Sequence, residues 1–196
     1  LSVGVELLGE QALSWPEFLS ASRSAPTTLD ARLRLGYFNA TLPVSAVPRV
    51  PCVLEFPHRR GLAVEAGLAN RADALELVRS AVLRLLLAVP AGQLQLSIFD
   101  PVAIGRSLAD FLHLGDFDER LVDTRPRTSA SDIEAKLAEL AAYLETIISK
   151  YLRGQFETIE EYNRQAGEMA EPYRLLVVCD FPTQFSERAI EQLLSI

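Results

Sequence analysis

The chain has 196 residues, of which 49% are apolar and 23% charged, and its formal net charge at neutral pH is −7. This is the composition of a globular domain with one sizeable core, and the acidic balance argues against a broad nucleic-acid-binding surface. The apolar runs are too short to span a bilayer, and the two cysteines have neither disulfide nor metal-binding spacing, so we expect a cytoplasmic protein without membrane insertion.

The first 30 residues have the weakest pattern in the chain. Ser14 and Glu17 predict the start of a helix, with Ser14 as its N-cap. The chain does not begin with methionine. We expect residues 1–30 to be a linker or the tail of a preceding segment, and residues 31–196 to form a partial domain.

Three strands are predicted before residue 67. Leu33, Leu35 and Tyr37 alternate with less apolar residues, which indicates a strand, and residues 52–56 form a second short apolar run. Three prolines between these strands favour an extended connector. Residues 62–66 are apolar apart from one glutamate and predict a third strand, which is followed by a turn at Gly67.

A helix is predicted over residues 72–88, followed by a strand over residues 94–99. A strand, a helix and a strand of these lengths predict parallel pairing of residues 62–66 with residues 94–99, and hence an α/β protein. Arg79 and Arg84 lie off the apolar stripe of this helix. The stripe residues recur at alternating three- and four-residue steps: Leu75, Val78, Val82, Leu85 and Val89.

The second half of the chain predicts two capped helices and another strand. Residues 116–123 form an acidic stretch that is typical of a solvated loop. Capping boxes at residues 131–134 and 158–161 predict helix starts. A continuous apolar run over residues 173–179 then ends at Asp180, as in a central parallel strand. The last predicted helix begins at Ser186.

Taken in order, these elements resemble the motor domain of the FtsK/SpoIIIE family, which includes DNA translocases and type VII secretion ATPases. Residues 96–101 resemble the family's apolar strand ending in Asp-Pro-Lys, with Val102 in place of the lysine. Residues 158–163, with the letters TIEEYN, resemble the family's Glu-Glu-Tyr-Asn element, and residues 172–180 resemble its Walker B strand. The resemblance implies a RecA-like P-loop NTPase core with a mostly parallel sheet, incomplete at the C-terminus because no strand follows the last helix.

The resemblance also places a degenerate nucleotide site. Gly67, Asn70 and Arg71 stand where the Walker A loop would carry its lysine and its serine or threonine, and both are missing. Asp180 stands at the position of the Walker B aspartate, and Phe181 replaces the glutamate that would activate water. Cofactor binding, if any, therefore falls to Gly67, Asn70, Arg71 and Asp180. We assign no catalytic residue, no metal site and no cofactor, with ATP and Mg²⁺ as the ligands if the site still functions.

Several functions are compatible with this pattern, and whether the chain is an enzyme stays open. The preferred hypothesis is a non-hydrolysing FtsK/SpoIIIE-like module with a structural or regulatory role in a larger multi-domain bacterial protein. The alternative is an active DNA translocase or protein-export motor in which Arg71 replaces the lysine. A third is an unrelated α/β binding domain. Expected partners are other domains of the polypeptide or other subunits, including copies of the chain; the net charge does not support DNA.

Other polar residues have a functional and a structural interpretation. Asp100 and Asp180 both end strands and could suggest a metal site, but without a third ligand we expect each to cap a turn. His58, beside two arginines, is expected in a solvated turn rather than in a phosphate-binding cluster. His113 and Ser97 have no neighbouring residues that indicate a catalytic base or nucleophile.

Overall fold

The structure, a computed structural model, describes Pro16 and residues 32–38, 50–57, 61–152, 154 and 156–196. The chain divides into two compact units, Leu1–Ala91 and Gly92–Ile196. The helix start predicted at Ser14 and the turn around His58 lie outside the described residues. So does almost all of the segment predicted as a linker.

The first unit contains an antiparallel strand pair and a long helix. Strand β1 (Arg32–Phe38) pairs with β2 (Val50–Glu55), with an irregularity in the register between Arg34 and Gly36. Helix α1 (Arg71–Ala88) contacts β1. Two of the three predicted strands and the predicted helix are therefore confirmed within one or two residues.

The apolar stripe of α1 is buried towards its C-terminal end. Val82, Leu85 and Val89 are buried there, whereas the two stripe residues nearer the start of the helix are half-buried. Arg84, predicted to lie off the stripe, is in fact buried with 3% of its surface exposed. Burial lowers the pKa of its guanidinium, and the charge of Arg34 lowers that pKa further.

The strand predicted at residues 62–66 is wrong. Residues 61–67 have no regular secondary structure and are exposed, with Leu62 exposed by 48%. A short apolar run satisfies a strand pattern whether or not a neighbouring strand is present to receive its hydrogen bonds. No strand pairs with residues 62–66 among the described residues, so the predicted parallel pairing with residues 94–99 is also wrong.

The second unit is built on a parallel strand pair. Its elements are β3 (Leu94–Phe99), α2 (Ala109–Leu112), α3 (Ala130–Ile147), α4 (Ile159–Ala166), β4 (Tyr173–Val178) and α5 (Glu187–Ser195). Strands β3 and β4 are parallel, with Leu94 opposite Tyr173 and Phe99 opposite Val178. The protein is therefore mixed α/β, with five α-helices and two two-stranded sheets among the described residues.

A second segment lies along the other side of β3. Residues 121–127 form parallel bridges from Val122 to Leu96 and from Arg127 to Phe99. The Leu96 N–H donates to the Leu121 oxygen at 2.8 Å, and the Arg127 N–H donates to the Ile98 oxygen at 2.8 Å. Strand β3 is thus central, which explains why five of its six residues are buried. The predicted solvated loop is wrong at this end, because Val122 is fully buried.

The core of the second unit lies between the sheet and two helices. Phe99, Ile133, Leu137 and Ala189 are fully buried together. Partly buried residues pack around them: Leu176, Val178, Phe185 and Leu193. The apolar face of α3 is therefore buried within its own unit.

The helix starts follow capping chemistry, with one correction. Helix α3 is capped by Ser129, whose Oγ accepts from the Asp132 N–H at 3.2 Å, so the helix begins before the predicted box at Ser131. The cap at Thr158 is confirmed, since its Oγ1 accepts from the Glu161 N–H at 3.2 Å. Ser186 caps α5 in the same way. Beyond α3 the chain forms one π-helical turn, Ile148–Leu152. No helix among the described residues is long and apolar enough to cross a membrane.

Candidate functional site

The turn at the predicted phosphate-binding position is an exposed 3₁₀ turn. Gly67 precedes the turn Leu68–Asn70, and the Asn70 N–H donates to the Gly67 oxygen at 3.0 Å. Residues 61–70 are all exposed, and Leu68 is exposed by 96%. A phosphate cradle requires several consecutive N–H groups that converge on the ligand. Here one of those N–H groups already has a partner inside the turn.

Gly67 has no conformational need to be glycine. Its φ is −76°, in the extended region, and a Cβ added to it would meet no atom within 4 Å. Walker A glycines are required where the backbone takes a positive φ or closely approaches the phosphates. The position therefore tolerates an ordinary residue, unlike the glycine of a working phosphate loop.

Asn70 and Arg71 stand at the start of α1. Asn70 is the N-cap residue, and its side chain makes no capping hydrogen bond. Arg71 is half-buried, and the exposed carboxylate of Asp73 lies in the first turn. An acidic side chain here complements the helix dipole and opposes a phosphate. The local charge thus complements the dipole of α1 and disfavours an anion site.

Asp180 belongs to the second unit, whereas Gly67, Asn70 and Arg71 belong to the first. It follows β4 and has a φ of 53°, in the left-handed region that asparagine and aspartate enter more readily than most residues. Its carbonyl oxygen accepts from the Thr183 N–H at 3.0 Å and closes a turn. Phe181 comes next and is half exposed. No carboxylate therefore stands next to Asp180 where the family resemblance would place the water-activating glutamate.

Asp100 caps the loop after β3. The side chain is fully buried; Oδ1 accepts from the Ala103 N–H at 3.2 Å and Oδ2 accepts from the Ser107 N–H at 2.9 Å. Both carboxylate oxygens are thus occupied by backbone donors, as the turn-cap interpretation requires. No group of three His, Cys, Asp or Glu residues that could hold a metal occurs in the described part of the chain.

A buried polar cluster lies beside β3 that the sequence did not indicate. Oδ2 of Asp123 accepts from the Ser97 hydroxyl at 2.8 Å and lies 3.0 Å from the Lys136 ammonium. The same ammonium donates to Oε1 of Glu139 at 2.8 Å, and the Arg127 guanidinium lies 3.9 Å from Asp123. The cluster joins α3 to the segment along β3. Ser97 and Lys136 are both directed to one carboxylate, so the geometry is that of an ion-pair network.

An open cavity of about 350 Å³ lies next to this cluster. Its lining is polar and comprises Glu119, Asp123, Thr124, Arg125 and Arg127. Two carboxylates and two guanidinium groups nearly balance in charge there. The cavity therefore has no strong preference for an anion or a cation.

A second cluster centres on Glu171, just before β4. The Asn163 side chain donates to the Glu171 carbonyl at 2.9 Å and accepts from the Glu171 N–H at 2.8 Å. The Glu171 carboxylate accepts from the Tyr143 hydroxyl at 2.9 Å and from the Tyr151 hydroxyl at 2.7 Å. The ring of Tyr151 stacks on Tyr162 with centroids 4.2 Å apart. Three segments are thereby attached to the start of β4: α3, the π-helical turn and α4.

The electrostatics of the Glu171 cluster favour the neutral phenols. Burial raises the pKa of Tyr143, and the hydrogen bond to Glu171 raises it further. The hydrogen bond to Glu171 is the main reason why the pKa of Tyr151 is raised. A neutral phenol can donate to a carboxylate, whereas a phenolate would repel it. These tyrosines therefore hold a loop, and their high pKa values make them poor acid–base groups at neutral pH.

One sequence signal could have revealed the first cluster. Lys136 lies one residue before Leu137 and three after Ile133, on the margin of the apolar face of α3, where a buried lysine needs an acidic partner. The Glu-Glu-Tyr-Asn element is indicated by a capping box and by the family resemblance, but neither indicates its contact with Glu171. The structure gives it a local role, because Asn163 pairs with the backbone of Glu171 as a neighbouring strand would.

Of the four residues predicted to bind a nucleotide, Gly67, Asn70 and Arg71 belong to the first unit, where they are close in sequence, and Asp180 belongs to the second. His113 is exposed and lies 3.6 Å from Asp116, a contact across one helical turn. Comparison of the chain with protein-family models, with curated proteins and with solved structures found no match.

Proposed function

We propose that the chain is a degenerate, non-hydrolysing ATPase-type module of the FtsK/SpoIIIE kind, with a structural or regulatory role in a larger multi-domain bacterial protein of the cytoplasm. The observation that carries this proposal is the turn before α1. It lacks the Walker A lysine, and its Asn70 N–H already donates to Gly67. A triphosphate would meet no lysine ammonium there, and the Asn70 N–H would not be available to it.

The parallel strands support the family part of the proposal. Strands β3 and β4 run parallel, and an aspartate follows each, Asp100 directly and Asp180 after one further residue. The RecA-like core that we propose would contain such a pair, with its ligand edge at the carboxyl ends of the strands. At that edge the Asp100 carboxylate accepts hydrogen bonds from backbone N–H groups of its own loop. Phe181 takes the position of the water-activating glutamate in the proposed module.

The Glu171 cluster supports a structural role. The Glu-Tyr-Asn part of the family-like element is used to attach α4 and the π-helical turn to β4 through Asn163 and Tyr162. These contacts join groups of the chain itself. In the proposed module, the scaffold is retained while the phosphate-binding chemistry is lost.

Titration of Mg²⁺ and labelled ATP into the purified chain tests the proposal. We expect no saturable binding at millimolar ATP, and no difference between the natural chain and Arg71→Ala. Circular dichroism of both proteins verifies that they are folded. Saturable binding that is lost in Arg71→Ala would refute the dead-site proposal and favour the motor alternative.

A second measurement separates a translocase from the other functions. Binding of duplex DNA is measured at several salt concentrations, because binding through phosphates weakens steeply with added salt. For a chain of net charge −7 we expect no binding. Binding with a steep salt dependence would instead support a DNA-handling role.

A further inference from the structure

The segment beside β3 has an irregularity at the polar cavity. Between its two bridges to β3 the segment runs from Val122 to Arg127, while β3 runs only from Leu96 to Phe99. Residues 123–126 are therefore too many for the ladder and form a bulge, a feature that commonly redirects side chains next to binding sites. The cavity is lined by residues of this bulge and its surroundings: Glu119, Asp123, Thr124, Arg125 and Arg127.

Two glycines allow the bulge to pack closely against its own unit. A Cβ added to Gly105 would lie 2.6 Å from Cγ of Pro126. A Cβ added to Gly115 would lie 2.6 Å from Cγ2 of Thr124. Backbone hydrogen bonds to β3 fix the chain on both sides of the bulge. The backbone that carries the cavity side chains is therefore held in place by packing and by hydrogen bonds, as a binding site requires.

The two arginines of the cavity have unused donors. Nε of Arg127 is buried and has no acceptor among the described residues. Asp123 lies 3.9 Å from the Arg127 guanidinium, which is too far for a hydrogen bond. Arg125 is exposed, and no hydrogen bond or ion pair joins its side chain to the described chain. A buried donor without an acceptor is unfavourable, so the Arg127 guanidinium gains by turning towards an oxyanion in the cavity.

The same cavity has unused acceptors. Oδ2 of Asp123 is shared by Ser97 and Lys136, whereas Oδ1 accepts no hydrogen bond from a described residue. The Glu119 carboxylate is exposed and has no partner in the part of the chain that the structure describes. Unused donors and unused acceptors thus lie in one cavity, in agreement with its nearly balanced charge.

We propose that this cavity binds a small zwitterion, an α-amino acid with a free carboxylate and a free ammonium. The guanidinium groups of Arg125 and Arg127 hold the carboxylate, because a guanidinium presents paired N–H donors to a planar carboxylate. Glu119 and Asp123 accept hydrogen bonds from the ammonium. A phosphate would bring its negative charge beside both carboxylates, so it fits this lining less well. The cavity volume of about 350 Å³ is sufficient for such a ligand.

The proposal goes beyond the ATPase-like function. The cavity lies within the second unit, and none of the four residues predicted to bind a nucleotide lines it. Binding of ATP and binding of an amino acid are measured separately, so the failure of one proposal leaves the other unchanged.

Titration of L-alanine into the isotope-labelled full chain, followed by NMR of the arginine Nε–H groups, tests the site. We expect the Arg127 signal to shift and to saturate at millimolar L-alanine. Propionate lacks the ammonium of alanine and ethylamine lacks its carboxylate, so each should bind about tenfold or more weakly, having lost one charged hydrogen-bonding group. The absence of a saturable shift with L-alanine would overturn the proposal. Tighter binding of propionate or of inorganic phosphate than of L-alanine would overturn it equally, because the cavity would then be a simple anion site.

Charge-matched variants assign the two ends of the ligand. Arg127→Gln should weaken L-alanine binding about tenfold or more. Arg120→Gln should leave it unchanged, because Arg120 is paired with Asp118 and does not line the cavity. Glu119→Gln should weaken the binding of L-alanine without weakening that of propionate.

Equal affinity of Arg127→Gln and the natural chain for L-alanine would refute the carboxylate contact. If Arg127→Gln does not fold, Arg125→Gln decides the case, because this arginine is exposed and its replacement breaks no described contact. An equal loss of alanine and propionate binding in Glu119→Gln would refute the ammonium contact.

Discussion

Lys136 contacts two carboxylates that differ in burial, and of the two Asp123 also accepts from Ser97 and lies near Arg127; comparing them tests what stabilises the second unit. Its ammonium lies 3.0 Å from Asp123 and 2.8 Å from Glu139. The side chain of Lys136 is 4% exposed, that of Asp123 is 14% exposed and that of Glu139 is 62% exposed. If the nitrogen–oxygen distance decided the free energy of each ion pair, removing the Glu139 charge would destabilise the chain slightly more. If desolvation decides that free energy, removing the Asp123 charge should destabilise the chain far more.

The expected magnitudes follow from burial. Asp123→Asn leaves a buried ammonium without its buried counter-charge, and breaking such a pair costs about 3–5 kcal/mol. Lys136 keeps Glu139 in this variant, so we expect the lower end, about 3 kcal/mol. Glu139→Gln removes an exposed partner, for which the cost is about 0.2–1 kcal/mol. The two neutral substitutions change the formal charge equally, but only Asp123→Asn also alters the contacts with Ser97 and Arg127, which adds to its expected cost.

Urea unfolding followed by circular dichroism measures both costs. In thermal unfolding, a loss of about 3 kcal/mol in the free energy of unfolding corresponds to a decrease in Tm of roughly 10 °C for a chain of this size. The decrease in Tm for Glu139→Gln should stay below about 4 °C. Lys136→Met combined with Asp123→Asn should cost less than the sum of the single substitutions, because both remove the same pair. Equal costs for Asp123→Asn and Glu139→Gln would refute the reasoning from burial.

Three further predictions concern the Glu171 cluster and one strained loop. Asn163→Ala should lower the free energy of unfolding by about 2 kcal/mol, because two backbone groups of Glu171 lose their partner. Asn163→Asp should also destabilise the chain, since an aspartate keeps only the acceptor. If either variant is as stable in urea as the natural chain, the contact is contradicted. A pKa raised in the folded state means that the folded chain holds its proton more tightly, so the stability from Tyr143 is complete below about pH 10 and is lost as pH rises through the folded pKa. Tyr143→Phe should therefore show a smaller loss of stability than the natural chain above that pH, and an identical pH profile would argue against the shift. Ile104 has a φ of 55° and is 72% exposed, so Ile104→Gly should stabilise the chain by about 1 kcal/mol. Val102→Gly, at a neighbouring exposed site, should not stabilise it. A lower stability of Ile104→Gly than of the natural chain would show that the backbone at Ile104 is unstrained.

Local sequence patterns were sufficient wherever the determining interactions lie within one element. The helix over residues 71–88, the strand over residues 94–99 and the cap at Thr158 follow from periodicity and capping chemistry. The turn-cap role of Asp100 also follows, because its acceptors serve N–H groups only a few residues away. These features depend on neighbours in the chain, which the sequence places next to one another.

The tertiary structure decided the features that depend on distant partners. Residues 62–66 have the composition of a strand but remain exposed, because a strand exists only where another strand accepts its hydrogen bonds. Strand β3 instead pairs with β4 and with residues 121–127. Lys136 could be recognised from the sequence as a lysine near an apolar face, but its partner Asp123 lies on another segment. The sequence by itself determined the main elements and the absence of a Walker A lysine, while long-range pairing determined which elements form a sheet and which charges are buried.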